Sequence, residues 1–272
     1  MFFLEQSGGK NAVRPFDLRD RGLLLADGVF DTSLIVSGTM ILRSAHVSRL
    51  VGDATALGIT MNHQKINDLL NKNLIEDHHG VLRITVTSGP AERWSLNTRM
   101  IPPTVLLSMS PLNHSDQFKP ISLQTSLIRR NSTSPTSRHK TLAYTDNLAA
   151  LRVARAEGYD DALFLNTQGN VCCTTIGNLF LKFGDTWATP PISDGVLPGV
   201  MRQWIMRLAL DTDLRVIERT ITEDELQFVE AAFMTNSVRL AAPISKMNGR
   251  ALYSQLPDGL KCAAMELIST FK

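Results

Sequence analysis

Two short hydrophobic runs in the first part of the chain flank the pair Ser37-Gly38. Residues 30–37 and 39–43 are rich in apolar and β-branched side chains, which favour strands, and a Ser-Gly pair suits a tight turn. This pattern predicts a β-hairpin. Ser44 is then a candidate cap for a helix that ends at Gly58, because apolar residues recur at helical spacing, namely Val47, Leu50, Ala54 and Leu57.

Strand patterns and helix patterns alternate along the rest of the chain. Apolar and β-branched runs predict strands at residues 81–88, 104–110, 121–128, 162–166, 178–183 and 231–235. A helix ending at Gly158 is predicted from one apolar face, namely Tyr144, Leu148, Leu151 and Ala154. A further helix, beginning near Pro198 or Gly199, has three residues on one side, namely Met201, Trp204 and Leu208. The alternation predicts a mixed α/β (α+β) fold.

The stretch 111–120 is polar and bounded by prolines, so it is a candidate domain boundary. A chain of 272 residues is long enough for two domains. We therefore expect a small N-terminal α/β domain at residues 1–112, an interdomain loop at 113–120, and a larger domain with a mixed sheet or barrel at 121–272.

Composition and charge exclude several classes of protein. The chain is 43% hydrophobic and 20% charged, as in ordinary globular proteins, and its formal net charge of +2 gives no reason to expect nucleic acid as a partner. The N-terminus lacks the features of a secretory signal, and no apolar stretch is long enough to cross a membrane, so we expect a cytoplasmic protein. Three cysteines and six histidines form neither a disulfide framework nor a metal-ligand pattern, so no metal is predicted.

Lys140 is the candidate catalytic residue because of the motifs that surround it. It opens Lys140-Thr-Leu-Ala-Tyr-Thr-Asp-Asn147, and five further motifs follow in order, namely Gly158-Tyr-Asp-Asp-Ala-Leu-Phe-Leu165, Gly169-Asn-Val171, Gly177-Asn-Leu-Phe180, Thr189-Pro-Pro191 and Val196-Leu-Pro-Gly-Val-Met-Arg202. This series resembles the class IV aminotransferase family, the fold-type IV enzymes that use pyridoxal 5′-phosphate (PLP). The resemblance implies a two-domain fold like that of D-amino acid aminotransferase, with the PLP site between the domains and a homodimer as the assembly.

The resemblance extends to both ends of the chain. Residues 20–32 and His46-Val-Ser-Arg-Leu50 look like the two early signatures of the family. Within the family, Met201-Arg-Gln203 and Thr235-Asn-Ser-Val238 look most like the branch of 4-amino-4-deoxychorismate lyases, which make p-aminobenzoate for folate synthesis.

The resemblance also implies a set of cofactor-binding residues. Lys140 is the Schiff-base lysine and then the base that moves a proton, which requires a lowered pKa. Arg49 matches the phosphate-binding arginine, and Ser237 stands where many members have a hydroxyl for the same phosphate. The turn before the helix at Gly199, with the amides of Val200 and Met201, is expected to bind the phosphate as well, because helix N-termini favour anions.

Cys173 is a departure from the family pattern. Members usually have a glutamate five residues before the asparagine that corresponds to Asn178, and its carboxylate keeps the pyridine nitrogen of PLP protonated. Counting back from Asn178 places Cys173 at this position. A thiol cannot hold a pyridinium as a carboxylate does, so Cys173 is expected to face the cofactor without forming that ion pair.

Each candidate substrate-binding residue also has a purely structural explanation, such as packing, capping or a turn. Phe30 and Thr32, together with Asp27, could line the substrate entrance, and Tyr144 could touch the cofactor, but packing or capping explains them equally well. Asn236 could orient a substrate carboxylate, or it could form a turn after its strand.

The function that these residues favour is a PLP-dependent lyase that releases pyruvate and p-aminobenzoate. Aromatisation of the product supplies driving force, so the lyase reaction tolerates the missing carboxylate better than transamination does. Two alternatives remain at this stage. One is an aminotransferase acting on D-amino or branched-chain amino acids, and the other is a PLP-binding homologue that has lost catalysis.

Overall fold

The computed structural model describes residues 2–5, 16–91 and 102–270. The chain divides into two compact units. The first consists of Met1–Leu112, His139–Ala143 and Leu267–Lys272, and the second of Asn113–Arg138 and Tyr144–Glu266. The chain leaves the first unit after Leu112. Residues 113–120, expected as a separate loop, belong to the second unit. The expected domain 121–272 is not continuous, because residues 139–143 and 267–272 belong to the first unit. The segment that contains Lys140 belongs to the first unit, because its backbone is hydrogen-bonded there.

The first unit is a five-stranded sheet with helices. Its elements are β1 (Phe2–Glu5), α1 (Arg21–Leu25), β2 (Gly28–Val36), β3 (Thr39–Met40), α2 (Arg43–Ala56), α3 (His63–Asn73), β4 (Gly80–Thr87) and β5 (Thr104–Ser110). The strand order is β1-β5-β4-β2-β3, and all neighbours are antiparallel except β1 and β5. The predicted hairpin is thus β2 and β3.

Alternation along the strands separates the two faces of this sheet. Alternate residues of β4, namely Leu82, Ile84 and Val86, enter one hydrophobic core, whose helical members are Val47, Leu50, Val51, Ala54, Ile66 and Leu70. Asp31 pairs with Ile84 and Thr32 with Arg83 across β2 and β4. Asp31 therefore lies on the helix-covered face, whereas Thr32 and Arg83 share the opposite face.

The predicted cap of α2 is wrong. The helix begins at Arg43, its N-cap is Leu42 in a left-handed conformation with φ of 51°, and no side chain caps it. The turn out of β3 fixes this start, so Ser44 lies inside the first turn and is exposed.

The second unit contains most of the remaining elements. They are β6 (Ile121–Thr125), α4 (Pro135–Arg138), α5 (Thr145–Ala156), β7 (Asp161–Leu165), β8 (Val171–Thr174), β9 (Asn178–Phe183), β10 (Thr186–Thr189), α6 (Val200–Leu208), β11 (Val216–Glu218), β12 (Ala231–Asn236), β13 (Leu240–Met247) and β14 (Arg250–Ala251). Short 3-10 turns lie at His114–Asp116, Ile192–Asp194 and Glu223–Phe228, and α7 (Leu260–Ser269) ends the described chain.

Six strands of the second unit form a closed circuit. Their order is β9-β12-β13-β6-β7-β8, and the pairing of Cys173 with Asn178 joins β8 back to β9. β10 and β11 extend the sheet beside β9. This circuit has the barrel character that was predicted for the second half of the chain.

The predicted apolar face of α5 is right for Ala154 and wrong for Leu148. The buried residues of the helix are Asn147, Ala150 and Ala154, whereas Leu148 is 46% exposed. Ala150 and Ala154 pack with Ala162 and Phe164 of β7. Small alanines let the helix approach a strand whose residues are all buried, and this contact decided which face turned inward.

In the described ranges, no helix combines the length and the apolar character needed to cross a membrane. The same part of the chain contains no group of three or more His, Cys, Asp or Glu residues arranged to hold a metal ion.

An aromatic pair in the second unit provides a test of this core. The rings of Phe180 and Phe233 are stacked with centroids 4.8 Å apart, and Trp187 contacts Phe233 edge-on at 5.1 Å. We expect Phe233→Ala to lower the free energy of unfolding by about 3–5 kcal/mol, because it opens a cavity in a fully buried site. Urea unfolding followed by circular dichroism measures this change. Phe228→Ala is the matched control, since Phe228 is 66% exposed and should change stability by less than about 0.5 kcal/mol.

Candidate active site

Lys140 lies at an edge of the sheet in the first unit. β3 pairs only with Ile35 and Val36, at the far end of β2, which leaves the edge beside residues 28–30 for another segment. There the Phe30 amide donates to the Lys140 carbonyl at 2.9 Å, and the Leu142 amide donates to the Gly28 carbonyl at 2.9 Å. Gly28 permits this approach, since a Cβ there would lie 2.8 Å from the Leu142 side chain. The main chain of Lys140 is thus fixed to β2.

The side chain of Lys140 contacts an aromatic ring that a second cation also contacts. Its Nζ lies 4.4 Å from the centroid of the Phe30 ring, and the Arg83 guanidinium lies 3.7 Å from the same centroid. Arg83 stands opposite Thr32 in the strand register and donates to the Thr85 hydroxyl at 3.2 Å. Phe30 and Thr32, which were predicted to bind substrate, therefore lie with Lys140 and Arg83 in one group.

Loss of hydration is the largest effect on the ammonium group of Lys140, which is only partly exposed. The positive charges of Arg49 and Arg83 act in the same direction, and the carboxylates of Asp31 and Asp53 oppose them. The result lowers the pKa of Lys140 from 10.5 to about 8. A substantial fraction of this amine is therefore neutral near physiological pH and able to accept a proton or attack a carbonyl.

Arg49 belongs to a buried cluster of charged residues. Its Nε and Nη2 each donate to the Asp31 carboxylate at 2.9 Å, and His46 Nδ1 lies 2.6 Å from the same carboxylate. Burial by itself would raise the pKa of Asp31, but the charge of Arg49 and the His46 contact outweigh it and hold this pKa below its ordinary value. Asp31 therefore remains a carboxylate and holds the guanidinium in one orientation.

Arg49 retains donors for an anion. The two bonds to Asp31 use Nε and Nη2, and no acceptor in the described part of the chain is bonded to Nη1. Nη1 has two N–H groups, which suit a phosphate oxygen. The predicted phosphate-binding role of Arg49 is compatible with this geometry and stays a prediction.

The second unit places two predicted residues, Cys173 and Gly199, beside one asparagine, Asn178. Asn178 pairs with Cys173 on β8 and with Thr235 on β12, and its Nδ2 donates to the Leu197 carbonyl at 2.9 Å. A Cβ on Gly199 would lie 2.0 Å from Asn178 Oδ1, so only glycine allows this approach. Gly199 is the N-cap of α6 and provides no side-chain cap, so the amide end of the helix at Val200 and Met201 can bind an anion.

Cys173 is a buried, neutral thiol. Burial raises its pKa, and the adjacent Cys172 has a raised pKa for the same reason. The charge of Arg130 opposes this rise and that of Asp161 adds to it, and burial raises the pKa of Asp161 itself. One oxygen of Asp161 accepts from the Thr175 hydroxyl at 2.5 Å, and the other has no hydrogen-bond partner within the described ranges.

The remaining predicted residues have less specific surroundings. Asn236 forms the turn after β12, because its Oδ1 accepts from the amides of Val238 and Arg239 at 3.0 and 2.8 Å. These bonds are those of the turn-forming alternative, and the substrate-binding role of Asn236 stays a prediction. Ser237 lies in that turn, and Tyr144 is the partly buried N-cap residue of α5. Asp27 forms an ion pair with Arg21, whose Nε lies 2.8 Å from Asp27 Oδ2.

Sequence reasoning missed the charged neighbours of Lys140. Asp31, His46, Asp53 and Arg83 come together only through packing of α2 on β2 and pairing of β2 with β4. Asp31 gave one available signal, since it is the one charged residue of strand β2.

The chain is similar in sequence and fold to known proteins. A family model described as amino-transferase class IV matches residues 28–247. An aminodeoxychorismate lyase of Bacillus subtilis is 29% identical over 272 residues, covering 95% of this chain and 89% of that protein. A protein of Methanocaldococcus jannaschii, provisionally named a branched-chain-amino-acid aminotransferase, is 26% identical over 242 residues, covering 86% and 83%. A crystal structure of a Legionella pneumophila protein, provisionally named a 4-amino-4-deoxychorismate lyase, has a TM-score of 0.86 at 26% identity and covers 99% of both chains.

The buried carboxylate of Asp31 gives a pH-dependent prediction. Its folded pKa is lowered, so its contribution to stability is complete above the unfolded value of about 3.9 and is lost as pH falls through the folded value. We expect Asp31→Asn to lower the free energy of unfolding at pH 7 by about 3–5 kcal/mol, because Arg49 loses its buried partner. The difference from wild type should shrink below about pH 4. Urea unfolding of both proteins at pH 3 to 7 measures this difference in free energy. A difference that does not change with pH would contradict the prediction.

Asp17→Asn is the control for that experiment. Asp17 pairs with Arg19 at 2.8 Å, but the Arg19 side chain is 63% exposed. Exposed ion pairs contribute little to stability, so this variant should follow the wild-type curve.

Proposed function

The chain belongs to the class IV aminotransferase family of PLP-dependent enzymes, and from this premise we propose that it is a 4-amino-4-deoxychorismate lyase that releases pyruvate and p-aminobenzoate. The family resemblance and the fold class predicted from sequence are confirmed. The observation that carries the choice of reaction is Cys173, a buried neutral thiol at the position where the family has a carboxylate. The aminodeoxychorismate lyase of Bacillus subtilis and the Legionella pneumophila protein provisionally named a 4-amino-4-deoxychorismate lyase support the same choice.

Groups that suit PLP are present in each unit. In the first unit, Lys140 has the lowered pKa that covalent attachment requires, and Arg49 has free N–H groups for phosphate. In the second unit, the uncapped amide end of α6 at Gly199, Val200 and Met201 suits an anion, and Ser237 adds a hydroxyl. Bound PLP would supply an electron sink for the pair left when a C–H bond next to the substrate nitrogen breaks.

Lys140 is the group that moves the proton in this proposal. Its neutral Nζ takes the proton from the substrate carbon that bears the amino group. The bond between the adjacent ring carbon and the enolpyruvyl oxygen then breaks, and its electron pair leaves with that oxygen. The released enolpyruvate gains a proton and becomes pyruvate, while the ring becomes aromatic, so no oxidant is needed. At pH 8 about half of Lys140 is neutral, against less than about 1% of an ordinary lysine.

The neutral thiol at Cys173 favours this reaction over amino transfer. A carboxylate would stabilise a protonated pyridine ring, which amino transfer needs in order to store the electron pair until a second proton transfer. A thiol with a raised pKa offers no such charge. Aromatisation makes the lyase reaction less dependent on that stabilisation.

An aminotransferase of branched-chain or D-amino acids is the second candidate. The Methanocaldococcus jannaschii relative favours it. Amination of a keto acid, without release of p-aminobenzoate, would establish it. A homodimer, a cytoplasmic location and a role in folate synthesis stay predictions.

The role of Lys140 is testable with purified protein and added PLP. We expect a visible absorption band in wild type and in Lys72→Ala, whose lysine is exposed on α3, but not in Lys140→Ala. Borohydride reduction followed by peptide mass spectrometry should place the cofactor on Lys140. p-Aminobenzoate release should fall at least about a thousandfold in Lys140→Ala, since the variant loses its nucleophile and base. Attachment at another lysine would refute the assignment.

The role of Cys173 gives a second test of the reaction. We expect Cys173→Glu to raise amination of keto acids about tenfold relative to p-aminobenzoate release, because a carboxylate restores the partner of the pyridine ring. Cys173→Ser is the neutral control and should show no gain. Wild-type protein that aminates keto acids efficiently and releases no p-aminobenzoate would reject the lyase in favour of the aminotransferase.

A further inference from the structure

Asp53 holds two consecutive residues of the segment that carries the candidate catalytic lysine. Its Oδ2 accepts a hydrogen bond from the Lys140 amide at 3.0 Å, and its Oδ1 lies 2.8 Å from Nδ1 of His139. Asp53 is 4% exposed, so its carboxylate has little access to water. A buried carboxylate needs such partners, and here both oxygens find them in the same short segment.

The position of Asp53 is itself fixed by packing. It lies on α2 between Leu50, Val51 and Ala54, which are all buried in the core of the first unit. Since a helix packed through these residues is rigid, the carboxylate is presented at a constant place relative to β2.

Asp53 and β2 together fix both backbone polar groups of Lys140. The carbonyl accepts from the Phe30 amide at 2.9 Å, and the amide donates to Asp53 at 3.0 Å. The main chain of Lys140 is thus held on both sides. Its Nζ is directed to the ring of Phe30, 4.4 Å away.

We propose that Asp53 is a positioning residue for Lys140, which holds the Lys140 amide and the His139 imidazole and so keeps Nζ against the ring of Phe30. Asp53 touches neither substrate nor cofactor in this role. The inference concerns the placement of Lys140 and rests on the proposed function only for its catalytic consequence.

Charge and position predict opposite effects of removing Asp53. The negative charge of Asp53 raises the pKa of Lys140, so loss of the charge alone would lower this pKa below about 8. Loss of the two contacts would let the ammonium group move toward water, where the pKa of a lysine is about 10.4. A rise in the pKa of Lys140 would therefore show that its ammonium group has moved, because loss of the Asp53 charge alone cannot raise this pKa.

The experiment measures the pKa of Lys140 in protein without PLP. Brief labelling with acetic anhydride over pH 6 to 11, followed by peptide mass spectrometry, reports the neutral fraction of each lysine. We expect Asp53→Ala to raise the pH of half-labelling of Lys140 by at least about one unit, a tenfold loss of neutral amine at fixed pH. Asp53→Asn keeps an acceptor for the Lys140 amide and should leave the midpoint unchanged or lower it. An unchanged or lower midpoint in Asp53→Ala would overturn the proposal.

A second measurement needs no variant and so remains valid if Asp53→Ala fails to fold. Hydrogen exchange of the wild-type protein should show a protected Lys140 amide, since its acceptor is buried. Exchange at the rate of an open loop would also overturn the proposal.

These tests are independent of the proposed reaction, because labelling and exchange require neither PLP nor substrate. A rise of the Lys140 midpoint in Asp53→Ala, combined with no p-aminobenzoate from the wild-type enzyme, would reject the lyase and retain the role of Asp53. If the lyase assignment is right, p-aminobenzoate release should fall at least about tenfold in Asp53→Ala at pH 7 and partly recover at higher pH, whereas Asp53→Asn should stay near wild type.

Discussion

The partial burial of the Lys140 ammonium group beside two arginines is the constraint on which the first unit depends. A pKa lowered from 10.5 to about 8 means that the folded state disfavours the charged lysine by roughly 3 kcal/mol at neutral pH. Hydrogen bonds from the main chain of Lys140 to β2 and to Asp53 keep the lysine in place despite this unfavourable free energy. The same placement makes the amine available as a base, so the destabilising interaction and the proposed activity have one origin.

Alternation along β2 supplies both sides of this environment. Asp31 points to the face covered by α2, where it orients Arg49, while the neighbouring Phe30 and Thr32 point to the opposite face with Arg83. Lys140 stands at the strand edge, where the charges of both faces affect it. A shift of one residue in the β2–β4 register would exchange the faces and separate these groups.

The second unit shows how a close approach of strands depends on particular small residues. Its circuit of six strands closes where Cys173 meets Asn178, and Asn178 in turn lies against Gly199 at the start of α6. A buried thiol fits that junction without the charge that a carboxylate would bring. The chemistry of Cys173 and the packing of the circuit are therefore linked.

The sequence by itself predicted many of the strands and helices and the candidate reactive residue, Lys140. β5 and β9 were predicted to the residue, because strands with apolar runs bounded by turn residues depend on local pattern. The order of motifs around Lys140 predicted the family, and Cys173 was recognised by counting from Asn178. Packing decided the rest: the start of α2, the buried face of α5, the inclusion of Lys140 in the first unit, and the turn role of Asn236. Tertiary structure alone set the pKa of Lys140, since desolvation and the charges of Arg49, Arg83, Asp31 and Asp53 act through distances in space that no local pattern contains.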